Sequence, residues 1–148
     1  RGFDALYSVK MPDTWTPVFD LTDAKAVEAV NRAAEQEIEQ IIASLHRHEK
    51  GDFMKDKLSN VMALIYPSFY KALNRTKNLT VEDSCVGCGL CAQKCPVQAI
   101  ELQAGKPVWV KKNCAMCLGC LHRCPKFAIQ YGPNTKAHGQ YRNPNVEL

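Results

Sequence analysis

The chain has 148 residues, of which 46% are hydrophobic and 23% are charged, and its formal net charge is +4. This length allows one or two small domains. No apolar run approaches the roughly 18 residues that a membrane span requires, so we expect no transmembrane segment. The first residue is Arg1 rather than methionine, which indicates a fragment or a processed form of a longer protein.

The charges are unevenly distributed along the chain. Residues 1–60 carry 8 Lys/Arg and 11 Asp/Glu, a net charge of −3, whereas residues 75–131 carry 8 Lys/Arg and 3 Asp/Glu, a net charge of +5. No motif of a nucleic-acid-binding class is present, so we do not expect a nucleic acid partner. The cations of the second segment either balance a bound negative charge or dock an acidic redox partner. They include Lys111, Lys112, Arg123 and Lys126.

The N-terminal segment begins with a predicted strand, Ala5–Val9, followed by a loop over Met11–Trp15. A single strand cannot form a sheet alone. We therefore interpret residues 1–50 as the last βα unit of a larger domain.

A long amphipathic helix follows, because apolar residues recur at steps of three and four. Either Asp20 or Thr22 is expected to cap its start, and Gly51 to end it. Its apolar stripe is formed by Val27, Val30, Ala34, Ile38, Ile41 and Leu45.

A second helix is predicted from Met54 to Ile65, ending before Pro67, and a short piece continues through Leu73. Residues 51–78 are thus interpreted as a helical linker. We expect the apolar stripe of the first helix to pack on residues 54–73 or on a second copy of the chain, so self-association is one possible partnership.

Eight cysteines, all those in the chain, form two runs of the same spacing, C-x2-C-x2-C-x3-C-P. This spacing is typical of cysteine ligation in bacterial [4Fe-4S] proteins, in which the fourth cysteine ligates the other cluster of a two-cluster protein. It therefore predicts two [4Fe-4S] clusters. Cluster 1 is assigned to Cys85, Cys88, Cys91 and Cys124, and cluster 2 to Cys114, Cys117, Cys120 and Cys95.

Three other uses of the cysteines fit this spacing less well. Disulfides are disfavoured because no secretory signal is visible and the cysteines crowd too closely. Structural zinc sites use C-x2-C pairs with a longer spacer, so a third and fourth cysteine in each run are surplus. A redox-active C-x2-C pair does not account for eight cysteines.

The two runs lie in an internal repeat, in which Cys85 is equivalent to Cys114 and Ala99-Ile100 to Ala128-Ile129. A core of this size needs the clusters for stability. We predict strands at Leu79–Glu82 and Ala128–Tyr131, and a hairpin of Ile100–Leu102 with Pro107–Val110.

The two cysteine loops differ in the residues between their ligands. Gly87 and Gly89 allow backbone amides to approach the first cluster closely. The second repeat carries Met116 and Leu118 there, which predicts a more apolar environment for the second cluster.

Residues 79–131 resemble a bacterial, clostridial-type, two-[4Fe-4S] ferredoxin. The whole chain resembles the C-terminal part of flavodoxin–ferredoxin fusion proteins, on the basis of the segments Val9–Asp13, Gly105–Trp109 and Gly139–Pro144. The resemblance implies an α+β fold: pseudo-twofold βαβ repeats with short strands, preceded by an α-helical segment and one strand left over from a flavodoxin-like domain. Residues 132–148 form a C-terminal tail.

The expected function is low-potential one-electron transfer without catalytic residues. The alternatives are the electron-input domain of a flavin-dependent oxidoreductase and a structural zinc or iron–sulfur interaction module. FMN is expected only in a longer protein, since the phosphate-binding loop of the flavodoxin family is missing. A packing role is favoured for Trp15 and a surface position for His122. We expect the redox partner to be a flavoprotein or an oxidoreductase, and we expect the protein to be cytoplasmic.

Overall fold

A computed structural model describes residues 2–54, 66–68, 70, 71 and 73–146. The chain divides into two compact units. Arg1–Pro12 and Asp23–Pro67 form the first unit, and Asp13–Thr22 and Ser68–Leu148 form the second. The described elements, in chain order, are β1 (Ala5–Leu6), α1 (Ala24–His46), β2 (Gly51–Asp52), β3 (Leu79–Val81), α2 (Leu90–Gln93), β4 (Ile100–Gln103), β5 (Lys106–Trp109), α3 (Gly119–His122), β6 (Ile129–Tyr131) and α4 (Thr135–His138).

The first unit contains a parallel pair of strands, which corrects the expectation of one unpaired strand. The predicted strand Ala5–Val9 is limited to Ala5–Leu6, and it pairs with β2 in the register Ala5↔Gly51. The helix α1 lies between the two strands in sequence, so the unit has the order βαβ. The strand β2 was missed because two residues, Gly51 and Asp52, carry no alternating apolar pattern.

The boundaries of α1 also differ from those predicted. Asp23, rather than Asp20 or Thr22, caps the helix, because its carboxylate accepts hydrogen bonds from the backbone amides of the first turn, Lys25 (3.1 Å) and Ala26 (3.0 Å). The helix ends at His46, before Gly51, and His48 adopts a left-handed conformation with φ of 55°. A histidine thus takes the left-handed position after the helix end that is most often filled by glycine.

The predicted stripe of α1 is unevenly buried. Ala34 is buried, whereas Ile38 and Leu45, toward the C-terminal end, are 41% and 53% exposed. The second predicted helix, Met54–Ile65, lies almost wholly outside the described residues, and so does most of the segment that was expected to cover the stripe. The described positions of the piece before Leu73 are helical.

The second unit contains two small antiparallel sheets, and its predicted strands are confirmed to within two residues at each end. The strand β3 pairs with β6 in the register Leu79↔Tyr131, and β4 pairs with β5 in the register Ile100↔Trp109. Each sheet therefore joins a strand of one cysteine repeat to a strand of the other.

Equivalent positions of the two repeats have the same local structure. The helices α2 and α3 begin at Leu90 and Gly119, each after a left-handed residue, and each ends in the turn that leads to the fourth cysteine of its run. The amide of Cys95 donates to the carbonyl of Ala92, and the amide of Cys124 donates to that of Leu121, at 3.3 Å in both cases. The two runs thus hold their fourth cysteines in equivalent turns.

The core of the second unit lies between its sheets and the second cysteine run. Trp15 packs against this core, which agrees with the packing role predicted for it. Tyr131 is fixed at the core edge, since its hydroxyl donates to the carbonyl of Leu73 at 2.9 Å. The buried residues of the cluster are Leu79, Met116, Leu118, Leu121, Ile129 and Tyr131.

Candidate metal centre

The eight cysteines line two separate cavities, four in each. The first cavity is lined by Cys85, Cys88, Cys91 and Cys124, and the second by Cys114, Cys117, Cys120 and Cys95. The two cavities are similar in volume, about 20 Å³ in the first and about 30 Å³ in the second. Each cavity thus brings together three cysteines of one run and the fourth cysteine of the other.

Left-handed backbone turns curl each cysteine loop around its cavity. In the first loop they fall at Gly87 (φ 67°) and Gly89 (φ 78°), and at the equivalent positions of the second loop they fall at Met116 (φ 50°) and Leu118 (φ 51°). Glycine adopts this conformation without steric cost. At position 87 a glycine is also required because there is no space for a side chain: an added Cβ would lie 2.5 Å from the carbonyl oxygen of Gly105.

The second loop uses the same backbone with two side chains that disfavour it. A left-handed residue other than glycine costs roughly 1–2 kcal/mol. Met116 and Leu118 are 8% and 3% exposed, and both belong to the core, so burial of their side chains offsets this cost. Both also line the second cavity, but apolar side chains such as Leu90 and Leu102 line the first, so the second is not more apolar, contrary to expectation.

The fourth cysteine of each run accepts a backbone hydrogen bond at sulfur. The amide of Ala99 donates to Cys95 Sγ at 3.2 Å, and the amide of Ala128 donates to Cys124 Sγ at 3.3 Å. Both alanines are fully buried, so these donors are shielded from water. Hydrogen bonds to ligand sulfurs orient the ligand and raise the reduction potential of an iron–sulfur centre.

Burial also changes the acidity of the free thiols. It raises the pKa of Cys91 and Cys114, and it raises the pKa of Cys120 to about 12. A thiol in such surroundings stays protonated at neutral pH. A bound metal cation would draw off that proton, because cysteine ligates metals as the thiolate.

The cysteines of each cavity are spread more widely than the ligands of a single ion would be. Four thiolates around one zinc ion, each at about 2.3 Å, have sulfurs only about 3.8 Å apart. Within the described residues, which include all eight cysteines, no three Cys, His, Asp or Glu side chains converge closely enough for a single ion. A cubane of iron and sulfide holds its four thiolates farther apart, at its corners.

A cation borders the second loop, where an anionic cluster would need it. The Nε atom of Arg123 is buried and lacks a hydrogen-bond partner among the described residues. Its Nη1 atom lies against Gly119, where an added Cβ would come within 2.7 Å of it and within 3.6 Å of Cys117 Sγ. The positive guanidinium thus lies near the Cys117 thiol, where its charge favours bound negative charge.

His122 is buried, so the prediction of a surface histidine was wrong. It is 7% exposed, its Nδ1 accepts from the amide of Tyr141 at 3.2 Å, and its Nε2 lies 2.8 Å from the carbonyl oxygen of Thr14. Because Nδ1 accepts, the proton is on Nε2 and the ring is neutral. Burial lowers the pKa of His122, which favours the same neutral form. Its role is to join three segments of the second unit.

Within the described residues, no helix is both long enough and apolar enough to cross a bilayer.

Comparison with known proteins finds a family match for the first cysteine run. Residues 80–101 match the family model of the 4Fe-4S binding domain. No curated protein and no solved structure matches the chain. The match includes the whole first cysteine run, indicates a [4Fe-4S] cluster, and supports a ferredoxin-type iron–sulfur domain that acts in electron transfer. The short strands and mixed α/β content of the second unit fit such a domain.

Proposed function

We propose that the chain is a low-potential one-electron carrier with two [4Fe-4S] clusters, of the clostridial ferredoxin type. The observation that carries this proposal is the division of eight cysteines into two similar cavities, each with three cysteines of one run and the fourth of the other. Two equivalent cavities favour two clusters over one.

The residues have separate roles in this function. Cys85, Cys88, Cys91 and Cys124 hold cluster 1, and Cys114, Cys117, Cys120 and Cys95 hold cluster 2. A [4Fe-4S] centre takes up and releases one electron at a time, at potentials set by hydrogen bonds, charge and solvent exposure. The amides of Ala99 and Ala128 orient the two shared cysteines, and the buried core side chains exclude water from the second centre.

We further propose that residues 1–50 derive from a flavodoxin-like domain, with 51–78 as linker, 79–131 as the ferredoxin domain and 132–148 as its tail. The order β1–α1–β2 with parallel pairing supports this origin, since flavodoxin-like sheets are built from such units, and the strand β2 extends the first segment by two residues, to Asp52. FMN would then bind only in a longer protein. The second candidate function is electron input to a flavin-dependent oxidoreductase in the cytoplasm. It rests on the same parallel β1–α1–β2 unit.

Anaerobic purification with metal and sulfide analysis tests the cofactor. We expect about eight iron and about eight sulfide per chain, and an electron paramagnetic resonance signal after reduction with dithionite. Zinc at one ion per four cysteines, with no reducible iron, would contradict the proposal and favour the structural module.

Substitution of single cysteines tests the exchange of ligands between the two runs. We expect Cys124→Ala to leave the same residual spectrum as Cys88→Ala, because both remove ligands of cluster 1, and a different spectrum from Cys117→Ala. Iron content should fall by about half in each variant. If Cys124→Ala instead matches Cys117→Ala, each run holds its own cluster and the assignment is wrong.

A further inference from the structure

A cationic groove lies beside the second cysteine cavity. Its walls carry four basic side chains, and its volume is about 620 Å³. It is more open to solvent than either cysteine cavity. No acidic residue and no cysteine is among the described residues that line it. The basic side chains are Arg75, Lys77, Lys111 and Lys112.

These cations are distinct from those that face the cysteine cavities. Lys94 lines the second cavity and Lys126 lines the first, where each is placed to balance bound negative charge. The four groove cations line neither cavity. Among the described residues none of them forms an ion pair with a carboxylate. Their charge therefore remains available to a partner.

The backbone holds the groove in a fixed shape. The segments on its two sides are joined by hydrogen bonds from Thr76 N to the carbonyl of Lys112 at 3.0 Å and from Cys114 N to the carbonyl of Asn74 at 2.8 Å. The Thr76 hydroxyl also donates to the carbonyl of Lys111 at 2.6 Å. A rigid arrangement of charge reduces the entropy lost on binding.

Trp109 connects the groove to the second cavity. Its side chain lines both of them and packs against the core of the unit. Asn113, which also lines the groove, directly precedes Cys114. A molecule seated in the groove is thus separated from the second cysteine cavity by little more than one side chain.

We propose that this groove docks the acidic surface of an electron-transfer protein and that electrons leave through the cluster held by Cys114, Cys117, Cys120 and Cys95. This inference rests on the proposed function. Charge complementarity selects an anionic partner, and the open shape favours a protein surface over an enclosed small molecule. The position beside the second cavity makes cluster 2 the exit. In each transfer one electron passes from the reduced cluster to the partner, and no bond to either protein is made or broken.

Two small oxidants of opposite charge provide the test. The protein is reduced anaerobically, freed of dithionite, and mixed in a stopped-flow instrument with tris-oxalatocobalt(III), a trianion, or with hexaamminecobalt(III), a trication. Each takes one electron and becomes cobalt(II). At low salt we expect the positive charge of the groove to raise the rate of oxidation by the trianion and to lower the rate of oxidation by the trication. Added salt should slow the trianion and speed the trication, until screening is nearly complete near 1 M salt, where the Debye length is about 3 Å.

Lys112→Glu and Lys77→Glu are the variants, since neither side chain forms a hydrogen bond across the groove within the described part of the chain. The Lys111 ammonium, in contrast, donates to the carbonyl of Val97. The matched control is Lys25→Glu, which makes the same change of charge at an exposed position of α1 in the first unit, outside both cysteine cavities. At low salt we expect each groove variant to slow the trianion by roughly threefold to tenfold, and the control to slow it much less.

Equal slowing by groove and control variants would overturn the proposal, and so would no slowing by either. A third arm uses a fluorescein-labelled single-stranded DNA of 20 nucleotides. Groove-dependent binding of that DNA at about 0.15 M salt, with unchanged oxidation rates, would assign the groove to nucleic acid instead. The electron paramagnetic resonance signal of the reduced protein is recorded first, because it separates the two hypotheses. Absence of reducible clusters would refute the proposed function. Reducible clusters whose oxidation rates do not depend on the groove charge would refute only the docking groove.

Discussion

At the scale of single residues, the left-handed positions of the cysteine loops decide how closely each loop encircles its cavity. The two repeats meet this requirement differently. Gly87 adopts the left-handed conformation without steric cost. At the equivalent Met116, burial of the side chain offsets the free-energy cost of that conformation. The glycine is also confined by the turn between β4 and β5, because its α-carbon faces the carbonyl oxygen of Gly105.

Gly87→Ala should therefore destabilise the second unit more than a change of conformation alone would. The left-handed conformation accounts for about 1–2 kcal/mol of the loss, and the clash with the Gly105 carbonyl adds to it. Gly105→Ala is the matched control, since Gly105 has φ of 75° and an added Cβ would meet nothing within 4 Å. Anaerobic denaturant unfolding of the two variants measures the difference. Equal losses of unfolding free energy would show that the close approach of the turn is unimportant.

At the scale of elements, the C-terminal tail closes the end of α3. The side-chain amide of Gln140 donates to the carbonyls of Leu121 (2.6 Å) and Cys124 (2.9 Å), and Arg142 Nε donates to the carbonyl of His122 at 3.1 Å. Carbonyls at a helix end lack partners within the helix, so these side chains supply them. A helix of four residues is held here by the tail that follows it.

Gln140→Leu should destabilise the second unit, because it leaves two carbonyls of the α3 region without their donor. Loss of such a partner costs about 1–3 kcal/mol. The control is Gln93→Leu, which makes the same substitution at the exposed end of the equivalent helix α2. We expect Gln140→Leu, and not the control, to lower the denaturation midpoint and to speed loss of iron to a chelator. A similar effect of both substitutions would mean that leucine itself, rather than the lost donor, is responsible.

At the scale of the whole molecule, the proposed clusters would stabilise only one of the two compact units directly. All eight cysteines lie in the second unit, whose core is a small set of buried side chains between short strands. A domain of this size buries too little apolar surface to be very stable alone, so bound metal contributes much of its folding free energy.

Removal of the clusters by an anaerobic chelator should consequently loosen the second unit. We expect amide hydrogen exchange in β3 and β6 to accelerate by at least about tenfold, because these strands close the sheet over the core. The amides of α1 are the internal control, since the first unit contains no cysteine. Unchanged exchange in β3 and β6 after complete removal of iron would mean that the polypeptide core is sufficient by itself.

Local features of the second unit were open to prediction because they depend on neighbours in sequence. Strand limits, the hairpin between β4 and β5 and the cysteine loops follow from periodicity, glycine positions and spacing. The buried state of His122 was not predictable, since it depends on Thr14, far away in sequence, and on Tyr141 in the tail. The strand β2 escaped prediction because it consists of two residues whose pairing with β1 is entirely nonlocal.

The sequence by itself determined the chemistry: two runs of four thiols with the same spacing, which is suited to iron–sulfur clusters. Spacing acts over a few residues and needs no knowledge of the fold. Only the tertiary structure decided that β1 pairs with β2, that β3 pairs with β6, and where uncompensated charge lies. Those features arise from contacts between segments far apart in the chain, whose free energy depends on packing that no local pattern encodes.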